Sequence, residues 1–490
     1  MRFLIETDGA EETLLPVLPQ LLTEYFRIMN EIGNDEVVSA LQAIIDKFGD
    51  HIEPHAVALV TQLSQTFALY CREEDDDDDA AMAAAQCLEC IATVLKGICD
   101  KPEMFKALEP QLIPLVLQIL GNEGEFIEYL ECALDILTFL VYFPSDITPE
   151  LWQAFPLIYI AFDQWAYDYL NLMVPPLQSF IGKAPLVFLA GMAQLPEGNV
   201  RYIDLIFSMV SKTVTNDRAS ESECRQALSL FTSILHNCPG HVDTYLKAMN
   251  DIVLAKLGQQ VNAEVPLTRF AIYQVLGSAL YYNPILELAE LEGRGVTEQV
   301  FREWMKDADN MEKWLARKMT VFGLTAILTL PTASLPTSLS ASIPQLIIVA
   351  VKITERMKEE AEKPADEEED GFVDEEYEDD EAEGFTEDQD VTNEVDEAYK
   401  KALNGVSGWE EDIAKFLMGD FDDDGEDFDE DFTSPLDHVD EVLFLSGTLK
   451  AAYAREPEVY QQVQALLPPE TVASCQKLFA AADAMRQESS

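Results

Sequence analysis

Positive charge is what this sequence has least of for its size. Its 490 residues include 32 Lys and Arg against 90 Asp and Glu, a formal charge of −58 at pH 7. That shortage excludes direct binding to nucleic acid, which requires a basic footprint to displace counterions from phosphate. It disfavours anionic membrane surfaces for the same reason. Long apolar runs are missing too: none reaches the ~18–20 residues of a membrane span, and the best, Val321 to Leu330, stops at Pro331. Met1 to Glu6 meets acid before any signal-peptide apolar region can form. Glycine is scarce, at 22 residues, and no segment convincingly alternates with strand period. There is no phosphate-cradling glycine loop, no G-x-S-x-G elbow and no dinucleotide fingerprint, so neither enzyme activity nor a cofactor is expected. The eight cysteines fall mostly inside apolar helical patterns, the usage of buried thiols in a reducing compartment. Together these absences predict a protein of the cytoplasm and nucleus that does not insert in membranes.

What is present is helix, repeated. From Glu36 to Phe48 the apolar residues Val37, Val38, Leu41, Ile44, Ile45 and Phe48 fall at helical spacing. The pattern recurs over His55–Tyr70 (Leu59, Val60, Leu63, Phe67), Ala80–Ile98 (Leu88, Ile91, Leu95, Ile98) and Phe126–Phe143 (Ile127, Leu130, Leu134, Leu137, Val141). Further helices are readable at Tyr202–Val214, Ser222–Leu235, Val242–Leu257, Leu267–Tyr281, Met311–Leu330 and Ile343–Lys358. Prolines 54, 110, 149, 266 and 284 stand near expected helix starts, where a missing N–H costs little. Alternate helices begin near 36, 80, 125, 167, 222, 267 and 311, mostly 42 to 45 residues apart. Two helices per ~40–47 residues is the period of HEAT-type repeats, whose neighbours must stack to hide their apolar stripes. The one long interval, 55 residues, contains Gly182 to Gly198 and predicts an inserted loop. The expected fold is an all-α HEAT-repeat solenoid over residues 1–360, then an acidic, largely disordered tract at 361–432, then C-terminal helices at 433–490 packing on the solenoid. The alternative is an irregular helical domain.

Several stretches resemble a known family. They are Leu151-Trp-Gln-Ala-Phe-Pro-Leu-Ile158 running into Phe162-Asp-Gln-Trp-Ala-Tyr-Asp-Tyr169, Ala279-Leu-Tyr-Tyr-Asn-Pro284, Trp304 with Asp307-Ala-Asp309, Arg317-Lys-Met319 with Gly323-Leu324, and Pro435-Leu-Asp437 with the helix through Phe444. In this order, with two acidic insertions, they resemble the C-terminal half of receptors of the importin-beta superfamily, importin seven and importin eight branch. The resemblance implies a helical solenoid that carries cargo through nuclear pores, contacts phenylalanine-glycine nucleoporins, releases cargo on binding Ran-GTP, and shuttles between cytoplasm and nucleus. The family's Ran-binding region is N-terminal, and nothing in this sequence resembles it, which puts Ran binding by this polypeptide in doubt. The apolar helix from Leu14 to Met29 lacks the polar cap a terminal repeat needs, so the chain is expected to be a fragment or an incomplete gene model. A monomer is expected.

The acids supply the candidate binding residues. Between Glu359 and Phe432 stand 34 acids against four bases, a net −30, while the other residues carry −28. Such a tract self-repels and builds no core. It is expected to neutralise a lysine-rich protein, histone- or ribosomal-protein-like, at close range, since screening limits its reach to ~8 Å. The residues expected to bind are Glu367, Glu368, Glu369, Asp370, Glu375, Glu376, Asp379, Asp380, Asp422, Asp423 and Asp424. Phe372, Tyr377, Phe385, Phe421, Phe428 and Phe432 are interleaved with them and can add packing; the bland reading of the tract is a solvating spacer. A second run at 73–79 contributes Asp75, Asp76, Asp77, Asp78 and Asp79, either as a cargo-contacting loop or as acids favouring the start of a helix near Ala80.

Three metal-like patterns do not complete a site. Asp420, Asp422 and Asp424 with Gly425 approximate a calcium loop, but its last ligand is Asp431 where a bidentate Glu is needed, and Pro435 disrupts the exit helix. Cys87 and Cys90 have no second pair, and His51 and His55 have no third ligand. No metal is expected. Two functions remain: a nuclear import receptor, and an acidic scaffold or chaperone that shields basic proteins without regulated transport.

Overall fold

A computed structural model describes residues 14–32, 35–48, 51–71, 78–196, 198–260, 267–361 and 434–488. Among them are twenty α-helices, several short 3-10 turns and one two-stranded hairpin. The chain divides into two compact units, Met1–Val275 and Leu276–Ser490.

The first unit holds α1 (Leu18–Ile32), α2 (Asp35–Lys47), α3 (Ala56–Tyr70), α4 (Asp78–Lys96), α5 (Pro102–Leu120), α6 (Leu130–Tyr142), α7 (Ala154–Gln164) and α8 (Leu170–Lys183). It continues through α9 (Pro185–Ala190), strands β1 (Met192–Leu195) and β2 (Gly198–Arg201), α10 (Tyr202–Val214), α11 (Glu221–Asn237) and α12 (Leu246–Gln259). Two ladders run through these helices. In one, α2 packs on α4, α4 on α6, α6 on α8 and α8 on α11. In the other, α1 touches α3, and contacts run on through α5, α7, α10 and α12. Rungs such as α3 on α4 and α5 on α6 join the two. The helices of the first ladder start at 35, 78, 130, 170 and 221, within five residues of the starts read from the sequence, and each packs on the next because one apolar stripe per helix needs a neighbour one repeat away. Leu59, Val60, Leu63 and Phe67 are all buried, as are Leu88, Ile91, Leu95 and Ile98. Helix α6, which touches α4, α5 and α8, has no solvent stripe over Ile136–Val141.

Three features depart from the expected pattern. Ile127 is 39% exposed, because Ile127–Tyr129 is a 3-10 turn whose tighter winding puts it out of phase with α6. Pro110 lies inside α5 with Pro114, not at a helix start. Both are exposed, so the carbonyls they leave unpaired face water. The interval Gly182 to Gly198 is no simple loop: it holds α9 and β1, which pairs antiparallel with β2 from Met192↔Arg201 to Leu195↔Gly198. Strands of four residues carry too little alternation to be read. The insertion is fastened by aromatics. Trp152 stacks on Tyr202 with centroids 5.4 Å apart, and Phe155 lies 4.6 Å from Tyr202 and 5.5 Å from Phe180. A Cβ on Gly191 would come within 2.2 Å of the Tyr202 ring, so only glycine fits there.

The boundary between the units falls inside α13 (Leu267–Tyr282). The second unit contains α14 (Pro284–Gly293), α15 (Thr297–Asp307), α16 (Trp314–Leu328), α17 (Thr337–Ala361), α18 (Glu441–Arg455), α19 (Pro457–Leu466) and α20 (Pro469–Glu488). Asn283 caps α14 through the amide of Leu286, with Pro284 in the first turn. Helix α16 is buried at every residue from Leu315 to Leu328, covered by α14, α17 and α18. Its approach to α13 requires glycine on both helices: a Cβ on Gly323 would sit 2.7 Å from the Cα of Gly277, and one on Gly277 2.4 Å from the Met319 carbonyl. Tyr281, Phe322 and Phe444 form a three-ring cluster with centroids 5.1 to 5.4 Å apart. The end of α18 caps the end of α16: the Arg455 guanidinium donates to the carbonyls of Leu328, Thr329 and Leu330, and Glu456 accepts from the Thr332 amide and hydroxyl. Helix α20 packs on α17 and α18, where Glu355 accepts from Ser474 and Lys477.

By length and composition α17 could cross a membrane, a span not evident in the sequence; half of its apolar window is buried inside the protein.

Replacing Gly277 or Gly323 by alanine should cost about 1–3 kcal/mol through overpacking. Gly258→Ala, in α12 with nothing near its Cβ, should instead gain about 0.4–1 kcal/mol; urea unfolding measures all three. Arg455→Ala should cost about 1–3 kcal/mol, since three carbonyls lose a charged donor.

Candidate functional site

Most of the expected binding residues lie outside the described part of the chain. Asp75, Asp76 and Asp77 do, as do Glu367 to Asp370, Glu375, Glu376, Asp379, Asp380, Asp422, Asp423 and Asp424, together with the calcium-like loop from Asp420 to Asp431. Asp78 and Asp79 belong to the first turn of α4, which starts two residues before the expected Ala80. Cys87 and Cys90 are buried, and burial pushes the Cys87 thiol up to about 12. Among the described residues no group of three His, Cys, Asp or Glu could hold a metal ion.

What the structure does describe is where the acidic stretch leaves and rejoins the fold. Two consecutive bases on α16 meet its two ends. The Arg317 guanidinium donates to the Glu360 carboxylate and the Glu312 carbonyl, and Glu360 also accepts from Arg356 Nε at 2.8 Å. Burial pushes the Glu360 carboxyl up, but hydrogen bonds from Arg317 and Arg356 outweigh it and hold the group below its ordinary value. Lys318, 1% exposed, donates through Nζ to the Asp437 carbonyl at 3.3 Å and sits 4.3 Å from the Trp314 ring centroid. Burial lowers its pKa, against the pull of Glu441, Asp437 and Asp440. The returning chain is fixed by a local turn: the Ser434 amide donates to Asp437 Oδ2, the Leu436 amide to Ser434 Oγ, and Asp440 caps α18 through the Leu443 amide. Only the pair of bases on an otherwise apolar helix could have signalled this in the sequence.

A second acidic surface lies in the first unit and was not among the expected residues. Glu89 on α4 and Glu131 on α6 are exposed, and Asp135 is half-buried one turn beyond Glu131. Both helices aim carboxylates at one place: burial, then Asp135, Glu89 and Glu131, push the Cys132 thiol up to about 12. Burial and the charge of Glu131 push the Asp135 carboxyl up to about 6, with Lys96 opposing. Glu128 extends the patch toward Cys71 and Tyr129: burial, then Glu128, raises the Cys71 thiol, and burial, then Cys71 and Glu128, raises the Tyr129 hydroxyl. The signal was present in the sequence, as acids at 128, 131 and 135 on one face, but an apolar-periodicity reading passes over it.

Two grooves lie among the described residues of the second unit. One, of about 360 Å³, lies between α15 and α17. The other, of about 340 Å³, is walled by α17, α18, α19 and α20, and its lining includes Leu449, Lys450, Tyr453, Tyr460, Val463 and Phe479.

Comparison with known proteins gives a consistent relationship. Residues 270–403 match the family model for importin-11-like TPR repeats. The chain is 27% identical over 331 residues to a probable importin-7 homolog of Dictyostelium discoideum, covering 67% of this chain and 30% of that protein. It is 29% identical over 349 residues to the importin beta-like SAD2 homolog of Arabidopsis thaliana, covering 69% and 33%. It is 26% identical over 501 residues to importin-8 of Homo sapiens, covering 97% and 45%. The chain thus spans less than half the length of these relatives. In fold it resembles the structure of Lph2, described as a novel bidirectional nuclear transport receptor in S. cerevisiae, with a TM-score of 0.62 at 12% identity over 98% of this chain and 47% of that one. Receptors of this kind are not enzymes. By sequence the chain is thus a relative of importin-7, importin-8 and the importin beta-like SAD2 homolog.

Proposed function

We propose that this chain binds basic protein cargo, histone- or ribosomal-protein-like, for Ran-dependent nuclear import. The observation that carries the reading is the gathering of Glu89, Glu128, Glu131 and Asp135 from adjacent ladder helices. Asp135, titrating at about 6, is ionised at neutral pH against its own burial and its neighbour's charge. An incoming ammonium or guanidinium relieves that repulsion, so binding recovers what the fold gives up. The aspartates at 75–79 lead in sequence directly into α4, and those at 367–380 and 422–424 add charge of the same sign. Cargo release by Ran-GTP, passage along phenylalanine-glycine nucleoporins and shuttling between cytoplasm and nucleus come to this chain from its family.

Stability and binding should move in opposite directions. The folded pKa of Asp135 lies above its ordinary 3.8, so the stability this group contributes is full below about pH 4 and is lost as pH rises through about 6. Asp135→Asn should therefore raise the unfolding midpoint at pH 7.5 and leave it unchanged at pH 4. Combined with Glu131→Gln it should weaken binding of a fluorescent polylysine-rich peptide roughly tenfold at 0.15 M salt, at about 0.5–1 kcal/mol per charge. Gained stability with undiminished affinity would remove this surface from the cargo site.

Transport itself is tested in permeabilised cells. Labelled albumin bearing a lysine-rich peptide should accumulate in nuclei when this protein is supplied, and GTP-locked Ran should release it. Salt-sensitive binding with neither release nor accumulation would support the acidic chaperone instead.

A further inference from the structure

The lysines of this protein commonly stand against carboxylates. Lys101 lies 2.9 Å from Glu53, Lys352 2.7 Å from Asp309, Lys450 2.7 Å from Asp483 and Lys477 3.0 Å from Glu355. With 90 acids for 32 bases, that company is expected. Lys183, the last residue of α8, is placed otherwise. Its Nζ donates to the Pro144 carbonyl at 2.6 Å and sits 5.4 Å from the Tyr142 ring centroid. Among the described residues no carboxylate stands within ion-pair distance of it. The acid that faces it from the loop after α6, Asp146, is paired with Lys106 at 3.6 Å.

The elements around Lys183 add no counter-charge. Helix α9, which follows at once and packs on α8, has no charged residue from Pro185 to Ala190. From α11, also packed on α8, the neighbour of the adjoining Gly182 is the uncharged Asn237. Pro144 is itself buried. An ammonium turned into such surroundings loses hydration without gaining a partner charge, which favours the neutral amine. Burial accordingly lowers this group to about 8, with only Asp146 opposing. Lys183 as a residue is nonetheless exposed, so a small reagent reaches it. A desolvated, accessible lysine amine is a nucleophile near neutral pH.

We propose that Lys183 is an acylation site that takes its acyl group from a thioester. The Nζ lone pair adds to the thioester carbonyl carbon; a C–N bond forms, the C–S bond breaks, sulfur leaves as thiolate, and one amine proton passes to water. No oxidant or reductant takes part. The product amide keeps one N–H to donate to Pro144 and removes a charge that the site does not solvate. The modified side chain therefore suits its surroundings, and the modification makes an acidic surface more acidic. It stands apart from the cargo reading, since none of the carboxylates assigned to cargo touches Lys183.

The test uses the full chain and S-acetyl-N-acetylcysteamine, a small neutral thioester, with acetylation at each lysine followed by peptide mass spectrometry. At pH 7.5 Lys183 should react roughly tenfold or more faster than Lys306 and Lys477, although their side chains are 76% and 73% exposed. Its rate should reach half its maximum near pH 8, where the amine titrates. Ser145→Asp, at an exposed loop position beside Pro144, supplies a carboxylate and should slow Lys183 about fivefold at pH 7.5, leaving Lys306 and Lys477 unchanged. Ser145→Asn, of the same size without the charge, should react as the wild type does. Lys183 reacting no faster than the two more exposed lysines would overturn the proposal. So would a rate that climbs only above pH 10, or equal slowing by Ser145→Asp and Ser145→Asn, which would make access and not charge the controlling factor.

Discussion

No helix in this protein can hide its apolar surface alone, and the remaining organisation follows from that. A single amphipathic stripe needs one neighbour, but α6 is buried at every residue from Ile136 to Val141 and α16 at every residue from Leu315 to Leu328. Each therefore demands company on several sides: α4, α5 and α8 around the first, α14, α17 and α18 around the second. Helix α18 comes after the acidic stretch, 80 residues beyond the end of α17. Without it one side of α16, including Phe322 beside Phe444, would face water. The long acidic stretch is tolerated because loop closure grows only slowly with length, while α18 buries a full helix face.

That dependence explains the placing of two unusual charges. Arg317 and Lys318 sit on the helix with least access to solvent, and a buried base without partners would be costly. Both are answered by the segments that border the acidic stretch, Glu360 before it and the Asp437 carbonyl after it. The burial penalty on Lys318 is offset by the Trp314 face and by the nearby Asp437, Asp440 and Glu441. The bases thus favour the register in which α17 ends, and α18 begins, beside the same turn of α16.

Apolar spacing made the helices and the repeat period legible, because burial is what both depend on. Leu63 and Phe67, or Leu88 and Ile91, could occupy nothing but a core stripe. Legibility failed where a different force decides. Three prolines in α5 mimic punctuation, yet a helix tolerates Pro110 and Pro114 on its water-facing side. The hairpin at 192–201 depends on the fit of Gly191 against Tyr202, a contact with no period. Of the candidate surfaces, the acidic runs were conspicuous because they are contiguous, whereas Glu89 and Asp135 meet only when α4 lies on α6. The Arg455 cap of α16 joins residues more than 120 positions apart, beyond the reach of any local pattern.

The shortage of bases takes on a more specific meaning once their positions are known. Arg225, Lys256, Arg317 and Lys318 are buried, and Arg455 is committed to backbone carbonyls. Others face carboxylates of their own fold, as Lys212 does Asp163, Lys450 does Asp483 and Lys477 does Glu355. Positive charge is thus drawn inward or paired, whereas Glu89, Glu128 and Glu131 remain exposed. An approaching molecule meets a field set by the unbalanced acids, and the formal −58 understates how one-sided the accessible charge is. A surface of that kind accelerates encounter with basic proteins and repels polyanions. The accessible charge thus depends on where the few bases are used, as much as on how many acids there are.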